Sequence, residues 1–149
     1  MTTLRMLSWN VNGLRAILKK GFSDWMMKDR PDILCLQETK VAEDQLPEQV
    51  KSLPGYHSYF ASGPRKGRDG VALFSRTAPL AVKSSLEIAG LDDESRAIVA
   101  DFGHFLLYNV YFPNGKASAE RLAYKLHFYD LFLEHIDRLS RQGKRIVVC

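Results

Sequence analysis

Hydrophobic residues along the chain form short unbroken runs of strand length, separated by polar segments. The runs predict strands at residues 4–9, 33–36, 56–60, 71–75, 80–83, 98–102, 105–112 and 145–149. The run at 33–36 has no polar alternation, which indicates a strand buried on both faces, as in α/β proteins. Gly103 and His104 separate two of the runs and are typical of a two-residue hairpin loop.

Helical patterns lie between these runs. They predict a short helical turn at residues 14–20 and helices at 23–30, 46–53 and 118–142. Ser23 is the expected N-cap of the second segment, which Pro31 would stop. Ser118 can cap the longest helix and Gly143 can end it. Strands that alternate with helices and hairpins indicate an α/β or α+β layered fold, and the first strand, helix and second strand fit a βαβ unit with parallel strands.

Polar clusters follow three of the predicted strands, at residues 10–13, 37–40 and 111–115. If the first two strands are parallel neighbours, Asn10 and Glu38 emerge at the same edge of the sheet, where open α/β sheets bind ligands. One carboxylate with amide oxygens suits Mg²⁺, whereas zinc requires closely spaced Cys and His. The alternative is that Glu38 is a surface residue that caps the next turn.

Further polar residues could contact a phosphate. Tyr111 offers a hydroxyl, Asn114 an amide and Arg96 a planar guanidinium. Each also has a simpler explanation, because Tyr111 could be a core aromatic and residues 113–115 are good turn formers. The basic, glycine-rich segment 62–70 could be a solvated connection, and Asp92, Asp93 and Glu94 are more typical of an acidic loop than of a metal site.

Composition narrows the class of protein. The 149 residues are enough for one domain, and 46% hydrophobic with 26% charged residues is typical of a globular protein. A net charge of +4 is compatible with a polyanionic partner. Of the two cysteines, Cys35 lies inside an apolar strand and is expected to be a buried reduced thiol. Without an evident signal peptide or membrane span, we expect a cytoplasmic protein. The apolar run that ends at Cys149 predicts an incomplete domain over residues 1–149.

Four strings resemble the exonuclease III family of apurinic/apyrimidinic (AP) endonucleases, within the endonuclease/exonuclease/phosphatase superfamily. They are Trp-Asn-Val-Asn-Gly-Leu-Arg-Ala at 9–16, Pro-Asp-Ile-Leu-Cys-Leu-Gln-Glu-Thr-Lys at 31–40, Gly-Val-Ala-Leu at 70–73 and Tyr-Phe-Pro-Asn-Gly at 111–115. The resemblance runs in order through nearly the whole chain. It implies an α/β fold in which two mixed sheets lie face to face with helices outside, a four-layer sandwich of which this chain would be the amino-terminal half.

The resemblance also implies an activity. Members of the family hydrolyse a DNA phosphodiester 5′ to an abasic site in base excision repair, often with 3′→5′ exonuclease and 3′-repair activity. The cofactor it implies is Mg²⁺, with Mn²⁺ possible, and the implied partner is double-stranded DNA with abasic sites or 3′ ends.

The resemblance assigns roles to individual residues. Glu38 matches the carboxylate metal ligand, Asn10 matches the Asn beside the metal, and Tyr111 matches the active-site Tyr at the scissile phosphate or leaving group. The residues matched to DNA or phosphate contacts are Arg96, Asn114, Arg15 and Lys20.

One departure from the family pattern is large. The family continues after its equivalent of residues 146–149 with Gly-Asp-x-Asn, whose Asp orients or deprotonates the attacking water, and later with another Asp and Ser-Asp-His. This sequence contains none of these motifs in that position. We therefore expect these 149 residues alone to be inactive and to self-associate through an exposed apolar sheet face. The alternatives are a non-catalytic DNA-binding remnant and a superfamily phosphatase or RNA nuclease.

Overall fold

The strands form two four-stranded sheets in the part of the chain that the computed structural model describes, residues 3–62, 67–91 and 96–149. The first sheet has the order β1-β2-β4-β3, with β1 Met6–Asn10, β2 Ile33–Gln37, β4 Val71–Ser75 and β3 His57–Ala61. The second sheet has the order β5-β6-β7-β8, with β5 Ala81–Lys83, β6 Ala97–Asp101, β7 Leu106–Val110 and β8 Ile146–Val148. The pairs β1–β2 and β7–β8 are parallel and the other pairs antiparallel, so both sheets are mixed.

Helices cover the outer faces of the two sheets. They are α1 Leu14–Leu18, α2 Phe22–Asp29, α3 Glu48–Lys51 and α4 Ala119–Arg141, with a short 3-10 turn at Glu43–Gln45. Helices α1 to α3 pack against the first sheet, and α4 packs against the second. The layers are therefore helix, sheet, sheet and helix, which confirms the predicted α/β sandwich.

Strand β2 shows how the sequence builds these layers. All five of its residues are buried. Ile33 and Cys35 face the apolar layer between the sheets, whereas Leu34 and Leu36 face the helices over the first sheet. Alternate residues of a strand point to opposite faces, so a strand with apolar neighbours on both sides needs an unbroken apolar sequence. The prediction for residues 33–36 is confirmed, and Cys35 is a buried free thiol.

Two predicted boundaries are wrong for identifiable reasons. Helix α2 begins at Phe22, with Gly21 as the N-cap at φ 86°, and Ser23 lies inside the helix rather than at its cap. The left-handed backbone of Gly21 lets the chain turn sharply out of α1 and bury Phe22 against Phe74. Strand β7 ends at Val110 rather than at residue 112, and the Phe112 ring packs with the aromatic residues of α4.

The predicted cap of α4 is confirmed, since the Ser118 hydroxyl accepts a hydrogen bond from the Arg121 amide. The exposed apolar sheet face is not found among the described residues, because both sheets are present and pack against each other and against helices. Large apolar side chains are exposed instead on edge strands, at Trp9 and Val148, and on the outer side of α4. Of the predicted loops, Arg65, Lys66 and residues 92–94 lie outside the described residues. None of the described helices is long and apolar enough to cross a membrane.

Candidate active site

The site begins where the parallel strands β1 and β2 end together. Asn10 is paired with Gln37 in the sheet, so Glu38 follows directly at the same edge. The Asn10 side-chain amide donates a hydrogen bond of 2.9 Å to Oε1 of Glu38. The predicted juxtaposition of these two residues is therefore confirmed.

Backbone geometry turns the Glu38 side chain out of the sheet. Glu38 and Lys40 both have left-handed backbones, with φ 54° and 51°. The segment is held in this shape by hydrogen bonds from the Thr39 amide to the Gly70 carbonyl, 3.1 Å, and from the Lys40 amide to the Asp69 carbonyl, 2.9 Å. Residues other than glycine adopt this backbone only where surrounding contacts stabilise it, and such positions are concentrated at functional sites.

Lys40 brings a positive charge to the carboxylate. Its Nζ lies 3.1 Å from Oε2 of Glu38 and also donates to the Asn12 side-chain oxygen. Neither Lys40 nor Asn12 was assigned a role from the sequence, although both stand in the quoted strings. A lysine two residues after the proposed ligand was the available signal.

Tyr111 reaches the same carboxylate from the second sheet, immediately after β7. Burial alone would raise the pKa of Glu38, but hydrogen bonds from Asn10, Lys40 and Tyr111, with the charge of Lys40, outweigh burial and lower it. Burial and the neighbouring Glu38 carboxylate raise the pKa of Tyr111. Glu38 is therefore held ionised, while Tyr111 keeps its proton and can donate it in a hydrogen bond.

Arg96 contacts both the backbone and the ring of Tyr111. Its side chain is 2% exposed, lies 3.4 Å from the Asp69 carboxylate and donates a 3.2 Å hydrogen bond to the Tyr111 carbonyl oxygen. The guanidinium carbon also lies 5.0 Å from the centre of the Tyr111 ring. These contacts fix the position of Tyr111, and the phosphate contact inferred for Arg96 stays a prediction. Asp69 was not singled out from the sequence, because nothing local links it to Arg96.

Glu38 and Tyr111 line an open cleft of about 410 Å³. Asn114 lines it as well, with its side-chain oxygen accepting a 2.9 Å hydrogen bond from the Lys116 amide. The basic residues that line the cleft are Lys40, Arg68, Lys116 and Arg121. Arg15 on α1 and Lys20 after it are exposed and do not line the cleft. Lys116 and Arg121 were not predicted, since they come from a separate loop and a helix, whereas Arg68 belongs to the basic segment 62–70 that stands out in the sequence.

The donor groups fit a hard divalent cation. One ionised carboxylate beside an amide matches Mg²⁺, which takes few protein ligands and fills its shell with water and phosphate oxygens. The described residues contain no group of three or more His, Cys, Asp or Glu side chains that could hold a metal ion. A zinc-type cage is thus not formed by the described part of the chain, whereas a sparse oxygen site at Glu38 and Asn10 fits.

Known proteins that are similar to this chain include nucleases. Residues 7–149 match the model of the Endonuclease/Exonuclease/phosphatase family. The DNA repair nuclease APEX1 of Danio rerio is 44% identical over 148 residues, an alignment that covers 98% of this chain and 47% of that protein. An exodeoxyribonuclease of Bacillus subtilis (strain 168) is 35% identical over 147 residues, covering 98% of this chain and 57% of that protein.

A solved structure is also similar. The 3′ phosphatase NExo from Neisseria, bound to a product DNA hairpin, superposes with a TM-score of 0.82 and 30% sequence identity. That match covers 98% of this chain and 56% of the other. The chain spans about half the length of the curated relatives named above.

Proposed function

Because the chain belongs to the endonuclease/exonuclease/phosphatase family, we propose that its site serves Mg²⁺-dependent hydrolysis of DNA phosphodiesters 5′ to abasic sites. Related 3′→5′ exonuclease and 3′-repair reactions are part of the proposal. The observation that carries it is the ionised Glu38 carboxylate, in contact with Asn10 and Tyr111 at the mouth of a cleft lined by cations. The relatives named as a DNA repair nuclease and an exodeoxyribonuclease support DNA as the substrate.

Metal binding, hydrogen-bond donation and DNA binding are assigned to different residues of the site. Glu38, with Asn10 beside it, would hold Mg²⁺ or Mn²⁺, which neutralises phosphate charge when bound. Tyr111 keeps its hydroxyl proton and can donate a hydrogen bond to a phosphate or leaving-group oxygen. Asn114 and the cations of the cleft would bind the DNA backbone, with Arg15 and Lys20 beyond the cleft.

The described residues offer no evident group to activate the attacking water. Among those that line the cleft, Asp69 is the only carboxylate besides Glu38, and it is paired with Arg96 at 3.4 Å. Glu38 already accepts from Asn10, Lys40 and Tyr111. We therefore propose that these 149 residues bind metal and DNA but do not hydrolyse the phosphodiester by themselves.

Metal titration tests the ligand assignment. Mn²⁺ binding to the chain, followed by electron paramagnetic resonance, should weaken about 10- to 100-fold in Glu38→Gln, because the ionised ligand is lost. Glu134→Gln makes the same charge change on an exposed part of α4 and should leave the affinity unchanged. Equal affinity in the parent chain and Glu38→Gln would contradict the proposed metal site.

DNA assays test the rest of the proposal. A duplex with one abasic site should bind to the chain in a salt-sensitive manner, without incision in Mg²⁺. Binding that does not respond to salt would count against phosphate recognition, and incision by the 149 residues would refute the inactivity while supporting the nuclease assignment. Parallel assays with RNA and an inositol phosphate would detect the alternative substrates.

Self-association is a further part of the proposal, although its basis differs from the one expected. Leu122, Leu126 and Leu133 are 48%, 53% and 59% exposed on the outer side of α4. An exposed apolar stripe of this kind favours association in water. Sedimentation velocity should show a concentration-dependent mass that Leu126→Gln with Leu133→Gln reduces, whereas a monomer at all concentrations would refute the proposal.

A further inference from the structure

A buried polar junction crosses the mainly apolar layer between the two sheets. Gln37 Nε2, from the first sheet, donates a 2.9 Å hydrogen bond to Oδ1 of Asn109 in the second sheet. In the other direction, Asn109 Nδ2 donates to the backbone oxygens of Leu36 at 3.2 Å and Ala72 at 2.8 Å. Asn109 is fully buried, and both N–H groups of its amide are used by the first sheet.

The position of the junction relates it to the site. Gln37 directly precedes Glu38, and Asn109 stands two residues before Tyr111. Glu38 and Tyr111 come from different sheets, yet both side chains line the same cleft. The junction therefore lies at the ends of β2 and β7, next to the points where Glu38 and Tyr111 follow these strands.

Besides the Arg96–Asp69 pair at the edge of the cleft, most contacts around the junction are apolar. Leu73, Ile98 and Leu107 fill the layer around the junction with apolar surface. Apolar contacts have no preferred direction, so by themselves they tolerate small shifts of one sheet over the other. Buried hydrogen bonds are directional and costly to break, because a buried amide that loses its partner cannot turn to water instead.

We propose that Gln37 and Asn109 are positioning residues that set the distance between Glu38 and Tyr111 by fixing the register of the two sheets. Neither residue lines the cleft, so the effect acts entirely through the residues that follow them. The inference rests on the proposed function for its biological purpose, but the geometric effect is measurable without metal, DNA or activity.

The test uses a variant that removes both side-chain amides of the junction. The Ser8 hydroxyl, which accepts a hydrogen bond from Gln37 Nε2, loses that donor in this variant, and a Ser8 variant controls for the loss. Gln37→Met with Asn109→Leu replaces both partners by apolar groups of similar size, which can be nearly neutral for stability. The protein is labelled with 3-fluorotyrosine, and the resonance of Tyr111 is assigned with Tyr111→Phe. The measured quantity is the change in this ¹⁹F shift when Glu38→Gln is introduced.

In the parent chain, Glu38→Gln should shift the Tyr111 resonance, because the two side chains line the same cleft and the mutation removes a negative charge there. In the double variant the response should be lost, while the melting curve remains cooperative. Ser8→Ala is the matched control, since it removes the other acceptor of Gln37 Nε2, at 3.0 Å, within the first sheet. This control should keep the full response.

A full response in the folded double variant would overturn the proposal, as would the absence of a response in the parent chain. If the double variant does not fold, the same ¹⁹F measurement is made on Gln37→Met alone. An unchanged response of the Tyr111 resonance to Glu38→Gln in that variant would overturn the proposal. Failure of the metal assignment would show in the Mn²⁺ titration and would leave this measurement intact.

Discussion

The Gly70 backbone and the Thr39 side chain lie in close contact beneath the Glu38 loop. Gly70 has φ +88°, and a Cβ placed on it would overlap Oγ1 of Thr39. Thr39 is 2% exposed and its amide is bonded to the Gly70 carbonyl, so neither residue has room to move. The left-handed backbone of Glu38 therefore depends on a glycine 32 positions later in the sequence.

Gly70→Ala is expected to destabilise the fold by about 1–3 kcal/mol, because a strained backbone and a steric overlap add together. Gly55→Ala is the matched control: its φ is +79°, but nothing lies within 4 Å of the added Cβ, so only about 1 kcal/mol is expected. Urea unfolding would measure both. Equal losses for the two variants would show that the contact with Thr39 has no energetic weight.

At the scale of elements, α4 is joined to the second sheet by a polar contact as well as by aromatic packing. The Tyr108 hydroxyl of β7 lies 3.0 Å from Nε2 of His135, and Arg138 Nη2 lies 3.1 Å from Nδ1. A guanidinium only donates, so Nδ1 must accept and Nε2 must carry the proton that is shared with Tyr108. The neutral imidazole is the form that satisfies both partners.

This arrangement makes the attachment of α4 sensitive to acid. Burial, followed by the charge of Arg138, lowers the pKa of His135 below its ordinary 6.5. The unfolded chain then binds more protons than the folded chain as the pH falls below 6.5, so the stabilisation present above that pH is progressively lost.

His135→Gln should cost about 1 kcal/mol of unfolding free energy at pH 8. The difference from the parent chain should shrink as the pH falls from 6.5 towards 5. His127→Gln changes an exposed histidine of the same helix and should leave the unfolding free energy at pH 8 unchanged. A cost for His135→Gln that does not vary between pH 8 and 5 would refute the assignment of the neutral tautomer.

At the scale of the whole molecule, the apolar layer between the sheets should make them unfold together. Leu107 lies in the second sheet, is fully buried and packs in this layer. Both tryptophans belong to the part of the molecule around the first sheet: Trp9 is in β1 and Trp25 is in α2, and their ring centres lie 5.7 Å apart. Their fluorescence therefore reports on the sheet that does not contain Leu107.

Leu107→Ala is expected to lower the unfolding free energy by about 2–5 kcal/mol. Tryptophan fluorescence and circular dichroism should show the same lowered midpoint in denaturant, since the mutation and the fluorescent probes are coupled through the layer. Leu80→Ala removes a side chain from a residue that is 77% exposed and should shift neither signal. An unshifted fluorescence transition would show that the sheets unfold independently.

Sequence patterns alone predicted the layered α/β class, most of the strands and the proximity of Asn10 to Glu38. These features depend on short-range patterns: an unbroken apolar run, a 3.6-residue period, and polar residues at strand ends. The quoted strings also identified the family that residues 7–149 match. Local pattern was enough because each inference concerned residues close in sequence or the common edge of two parallel strands.

The contribution of the second sheet to the site became visible only in the folded chain. The pairing of Arg96 with Asp69, the contact of Tyr111 with Glu38 and the Gln37–Asn109 junction all join residues that are distant in sequence. The partners of buried polar groups are set by distance and direction in the folded chain. The spacing of residues along the sequence does not contain this information. The same holds for the apolar surface, because the packing of the two sheets and their helices, not the apolar runs themselves, left apolar side chains of α4 and the edge strands exposed.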